Sequence, residues 1–85
     1  MFFKQVTTTD NPVQYNLTDA CNLTIFNQSL ANTVQVKSSS GGGVDIGLVL
    51  PNATLNLDQN RFQYQTIYIA SLVPGSPSNI LIWAW

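Results

Sequence analysis

The sequence predicts an all-β protein, a single small antiparallel β-sandwich of about eight short strands in jelly-roll or immunoglobulin-like order. Three observations carry this. Glutamate is absent, alanine is sparse, and no long stretch repeats apolar residues every three or four positions; Thr, Val, Ile, Tyr and Phe dominate instead. Within short runs, apolar and polar residues alternate, which puts one face of each strand in a core and the other in solvent. Asn-Pro, Gly and Ser clusters separate the runs at a spacing of roughly ten residues, as turns between short strands do.

The first expected strand is Phe2–Thr9, closed by Asp10–Pro12, and the second is Val13–Leu17. The third, Cys21–Asn27, alternates Cys21, Leu23 and Ile25 with polar neighbours. A turn through Gln28–Asn32 leads to Thr33–Ser38, with Val34 and Val36 inward and Gln35 and Lys37 outward. Ser38–Gly43, "SSSGGG", reads as a flexible loop. Val44–Leu50 follows, with Ile46, Leu48 and Leu50 on one face, then Ala53–Asp58 with Leu55 and Leu57 pointing in. Gln59–Gln65 is a loop or a short helical turn. Thr66–Leu72 is the seventh strand, Val73–Ser78 a Pro/Gly turn, and Asn79–Trp85 the last strand.

The last strand departs from simple alternation. Ile80, Ile82 and Ala84 suit a core, which turns Leu81, Trp83 and Trp85 to the opposite face. In the strand before it, Ile67 and Ile69 face one way and Tyr68, Ala70 and Leu72 the other. Paired as a hairpin around the Pro/Gly turn, the two strands would join their outer faces into one aromatic patch.

Size and charge narrow the function. The 85 residues make one domain, 1–85, with a thin core. The single cysteine, Cys21, permits no internal bridge, and without histidine it has no partner for a structural zinc. Self-association or a larger partner is the remaining source of stability, so a homo-oligomer is expected. Charge is confined to Lys4, Lys37, Arg61, Asp10, Asp19, Asp45 and Asp58. Three scattered basic residues do not track a phosphate backbone, so neither nucleic acid nor a membrane surface is an expected partner. Gln63, Gln65, Pro74, Pro77 and Asn79 interrupt the uncharged stretch 62–85, which argues against a spanning helix. "MFFKQVTTTD" lacks the features of a signal peptide, and the chain reads as complete and not exported by that route.

Catalytic chemistry is not expected. Histidine and glutamate, the usual bases, are missing. Cys21, in an alternating strand, reads as a small buried apolar residue. Asp10 and Asp19 read as turn residues bonding local backbone, and Asp45 and Asp58 lack calcium-loop spacing, so no metal or other cofactor is expected. The glycine loop lacks the Lys-Ser/Thr of a phosphate-binding loop. The sequons at Asn16, Asn22, Asn27 and Asn52 read as chance in a chain rich in Asn, Ser and Thr. The aromatics Phe2, Phe3, Phe26, Phe62, Tyr64, Tyr68, Trp83 and Trp85 read as core and interface rather than as a sugar-stacking platform, because most lie on alternating strands.

The pattern over residues 21–85, with "NLTIFN", "VQV", a glycine loop, "LPNATLNL", "IYIA" and a final "ILIWAW", resembles the small β-sandwich proteins and domains of tailed-bacteriophage virions. That resemblance implies a non-enzymatic virion protein, assembled in the host cytoplasm, that decorates or cements the capsid or serves in a head fibre, neck or tail. Its partners would be the major capsid protein or another virion protein. The expected packed interface is Tyr68, Leu81, Trp83 and Trp85, with Phe2 and Phe3 of the N-terminal segment as a second contact, either in the same sheet or added to a neighbour's. The alternative is a carbohydrate- or receptor-binding module of a tail or fibre, with a polar cluster around Arg61–Gln65.

Overall fold

Eight strands form: β1 (Phe2–Thr7), β2 (Val13–Asn16), β3 (Leu23–Asn27), β4 (Val34–Lys37), β5 (Asp45–Val49), β6 (Thr54–Leu57), β7 (Thr66–Ser71) and β8 (Asn79–Ala84). The computed structural model describes residues 2–17, 21–37, 45–57 and 66–85, with Phe2 and Asp45 described by backbone alone. Ser38–Gly43, Gln59–Gln65, Asp19 and Asp58 lie outside the described residues.

The pairing is that of one long hairpin folded over on itself. β1 pairs with β8, β2 with β7, β3 with β6 and β4 with β5, all antiparallel. β3–β8 and β4–β7 contacts then complete two four-stranded sheets, ordered β1-β8-β3-β6 (sheet A) and β2-β7-β4-β5 (sheet B). Of the two orders expected, this is the jelly roll. Because successive strands run antiparallel, the connections 8–12, 28–33, 50–53 and 72–78 all gather at one end of the sandwich.

Alternation puts the expected residues inside. Leu23, Ile25, Ile80 and Ile82 of sheet A and Val34, Val36, Ile67 and Ile69 of sheet B are essentially fully buried. Leu17, Val49, Leu57, Ala84 and Tyr15 complete the cluster, with Val6, Ile46 and Leu55 packed against it.

The crossover end is closed by hydrogen bonds rather than by apolar contact. Asn27, at the end of β3, is fully buried. Its Nδ2 donates to the Asn32 carbonyl at 2.7 Å and the Val49 carbonyl at 3.0 Å, and its Oδ1 accepts from the Ser29 amide at 3.0 Å. Its own amide donates to the Ala53 carbonyl. One side chain thereby ties β3 and its crossover to the end of β5 in the other sheet. A second polar cluster joins β1, β7 and β8. The Thr8 and Ser71 hydroxyls share a hydrogen bond of 2.8 Å, Ser78 donates its amide to Thr8 Oγ1, and Thr8 donates its amide to the Ser78 carbonyl. Asn32 Nδ2 also reaches the Pro77 carbonyl, and the Asn52 amide donates to the Ser29 carbonyl, so the four crossovers are stitched together. Asn52 and Gly75 turn with φ of 55° and 79°, the left-handed conformation that these residue types adopt most readily.

Several expectations are corrected. β7 and β8 lie in different sheets, so 72–78 is a crossover and not a hairpin turn. Cys21 is exposed and lies before β3. The amides of Cys21 and Asn22 both donate to the Trp85 carbonyl, a bulge-like pairing of two residues against one that breaks the alternation just before Leu23. In β5 the buried residue is Val49, while Leu48 and Leu50 are exposed. Pairing of Val49 with inward-facing Val34 sets that parity, and a register shift where Lys37 meets Asp45 leaves Ile46 as the extra residue. Asp10 bonds no near neighbour: its Oδ1 accepts from the Gly75 amide in another crossover.

Two outcomes follow. Asn27→Asp keeps the shape but removes both donors and sets a carboxylate against two carbonyls, so unfolding by urea should show a loss of about 3 kcal/mol or more; a loss under about 0.5 kcal/mol would remove Asn27 from this role. Cys21 should react stoichiometrically with a thiol reagent in the folded protein, and labelling only after denaturation would restore the buried assignment.

Candidate docking face

The two outward faces of the sandwich differ in chemistry. Val6 packs on the core, so Phe3, Gln5 and Thr7 of β1 face outward from sheet A. On β8 the outward set is Asn79, Leu81 and Trp83, on β3 Thr24 and Phe26, and on β6 Thr54 and Asn56. Register aligns these into rows across the sheet, Gln5–Leu81–Phe26–Thr54 and Phe3–Trp83–Thr24–Asn56. Trp85 extends the face beyond β8, beside Asn22. Among the described residues, no side chain on this face carries charge.

The Phe3 and Trp83 rings meet at 5.2 Å between centroids, tilted by 51°, within the contact range of paired aromatic rings. Trp83, Leu81 and Phe26 are half-buried, whereas Phe3 and Trp85 remain 56% and 53% exposed. The surrounding polar groups are partly committed already. Thr24 Oγ1 donates to Asn56 Oδ1 at 2.8 Å, and Thr7 Oγ1 donates to Asn79 Oδ1 at 2.7 Å.

The outward face of sheet B presents Gln14, Asn16, Gln35, Lys37 and Tyr68, with Leu48. Tyr68 therefore stands on the opposite side of the molecule from Trp83. Of the expected interface residues, Leu81, Trp83, Trp85 and Phe3 come together, and Tyr68 does not join them. Phe2 opens β1 beside Ala84, and its side chain is not described. The N-terminal segment pairs within the protein's own sheet. Phe26 belongs to the face although it was not expected there; its signal in the sequence is its parity, opposite to Leu23 and Ile25. Leu30 and Val73 are exposed on the crossovers, as are Leu50 and Leu72, which alternation places at the ends of strands that stop one residue earlier.

At the flank beneath β1, Lys4 faces inward and sets its Nζ 5.9 Å from the centre of the Tyr15 ring, a cation–π contact. Burial pushes the Tyr15 phenol above its ordinary pKa of 10.0. Among the described residues, no group of three Cys, Asp or Glu side chains lies close enough to hold a metal ion, and none forms a helix able to cross a membrane. No protein-family model, curated protein or solved structure matches the chain.

The phenol shift has a sign. Folded Tyr15 holds its proton to higher pH than unfolded Tyr15, so the contribution is fully present below pH 10.0 and is lost as pH rises through the folded pKa. Urea midpoints should fall between about pH 9 and about pH 11, and Tyr15→Phe should fall less; an equal fall in both would sink this attribution.

Proposed function

We propose that the chain is a non-enzymatic structural protein of a bacteriophage virion, docking on the major capsid protein or another virion protein through the outer face of sheet A. The observation that carries the docking role is that face: Phe3, Leu81, Trp83, Phe26 and Trp85 on three adjacent strands, with no charge among them. The virion setting, with a decorating or cementing role, comes from the strand-and-turn resemblance of residues 21–85.

Magnitude supports a covered face. Phe3 and Trp85 are each more than half exposed. An aromatic side chain of about 150–250 Å² left half in water forgoes roughly 2–3 kcal/mol at about 25 cal/mol per Å². Two such residues weigh heavily in so small a domain, where total stability is on the order of 5–15 kcal/mol. The absence of charge lets the face be buried without desolvating an ion.

The carbohydrate-binding alternative expects a polar cluster around Arg61–Gln65, which lies outside the described residues; on this face it would have to use the same rings with the neighbouring amides as sugar-hydroxyl partners. Two features disfavour it. Asn56 Oδ1 and Asn79 Oδ1 already accept from threonines of the same sheet. Phe3 leans on Trp83, so the half-buried indole does not offer a bare stacking plane.

Immunogold electron microscopy of particles purified from the lysate in which the chain is made should label the particles. Thr24→Lys, which sets a charge beside Trp83, should leave folding intact and abolish incorporation. Label confined to the soluble fraction, or incorporation of the lysine variant at the unmodified level, would overturn the proposal.

A further inference from the structure

We infer that two copies of the chain join through the free edges of their β1 strands, extending sheet A into one eight-stranded sheet with a doubled docking face. The edge strands are β1 and β6 in sheet A and β2 and β5 in sheet B. Three of them are short or interrupted: β2 has four residues and follows Pro12, β6 has four, and β5 carries the register shift against β4. Short length, proline and bulges blunt an edge against pairing. β1 has six residues, no proline, and an unbroken register with β8 over all six pairs. Among the described residues, no strand pairs with its other side.

The ladder fixes which groups that edge offers. The Thr8 amide donates to the Ser78 carbonyl, toward β8, while the Asn79 carbonyl accepts from Gln28 on the β3 side. Antiparallel ladders alternate, so the amides and carbonyls of Phe3, Gln5 and Thr7 point away from β8 into the open. A two-fold axis at Gln5 makes this set self-complementary. Gln5 exchanges two hydrogen bonds with its own counterpart, and Phe3 exchanges two with the partner's Thr7, and the reverse. Lys4 is the one charged residue of β1, and inward charges can guard an edge. Here its ammonium leans over Tyr15 of its own chain, and in this register it stands opposite the partner's Val6, so two like charges are not set face to face.

Area favours the same occupant, and this part of the argument rests on the proposed docking function. Four strands about 4.8 Å apart and about 20 Å long give roughly 400 Å² of sheet. A stable interface needs about 800 Å² per partner. Two sheets side by side reach it. Phe3 also stops being the end of the aromatic row, because its strand acquires a neighbour.

The test is sedimentation over a roughly hundredfold range of concentration. The unmodified protein should reach twice the 9.3 kDa of one chain. Gln5→Pro removes an amide that the β1–β8 ladder does not use, at a position where an edge strand tolerates proline. It should keep its circular dichroism and melting temperature while dimer dissociation rises about tenfold or more. Should that variant misfold, Gln5→Lys places lysine against lysine at the axis of an exposed position and should weaken the dimer most at low salt. A monomer at every concentration, or a folded Gln5 variant that associates as the unmodified protein does, overturns the inference. Thr24→Lys separates the two proposals: it should lose docking and keep the dimer. Loss of the dimer in that variant would assign association to the face and overturn the edge.

Discussion

The sandwich depends on a buried amide. Eight short strands in two sheets bury a thin apolar layer, and apolar contact alone does not specify which strands end where. Asn27 does so at the crossover end. Both of its donors and its acceptor are used, by two separate stretches of backbone: Asn32 and Ser29 in the crossover from β3 to β4, and Val49 at the end of β5. A fully satisfied buried amide costs little to bury and much to leave unpaired, so competing arrangements of these loops are penalised. The remaining connections then fall into place around it, with Thr8, Ser71 and Ser78 performing the equivalent closure for β1, β7 and β8.

That division of labour explains what was legible in the sequence. The inward residues of β3, β4, β6 and β8 follow directly from alternation, because a period of two records which face is apolar. The fold class and the positions of the strands follow as well. Pairing does not, since alternation says nothing about which strand lies beside which. The Pro/Gly segment between β7 and β8 has the composition of a hairpin turn, yet it is held as a crossover between sheets: its Pro77 carbonyl accepts from Asn32, and its Ser78 and Gly75 amides donate to Thr8 and Asp10. Cys21 and Leu48 fail for a different reason. Each lies next to an irregularity in pairing, and one extra residue inverts the parity of its side of the strand. The candidate face was legible where it sits on β8, and illegible where it depends on β1 and β3 flanking β8.

The scarcity of charge acts at several levels. It leaves closure of the crossover end to neutral amides and hydroxyls, which can be buried once paired. It leaves sheet A with an outward face that can meet an apolar surface without stripping water from an ion. Sheet B, by contrast, shows Lys37 among amides on its outward side. Two sheets of the same size and topology therefore face their surroundings with different chemistry, and the difference is written into alternate residues of their central strands.

β8 is where these roles meet. It has neighbours on both sides, β1 and β3, so its backbone is held along its whole length. Its even-numbered residues, Ile80, Ile82 and Ala84, are core; its odd-numbered residues, Leu81 and Trp83, are the middle of the outward face. An outward face on a central strand is positioned by the same ladder that stabilises the fold, which makes it more rigid than one built on loops. It also keeps the functions separable in sequence. A substitution at an odd position of β8 alters the face with little change to the core, and one at an even position does the opposite. The aromatic ending of the chain is thus one half of a two-sided strand, whose other half is the centre of the protein.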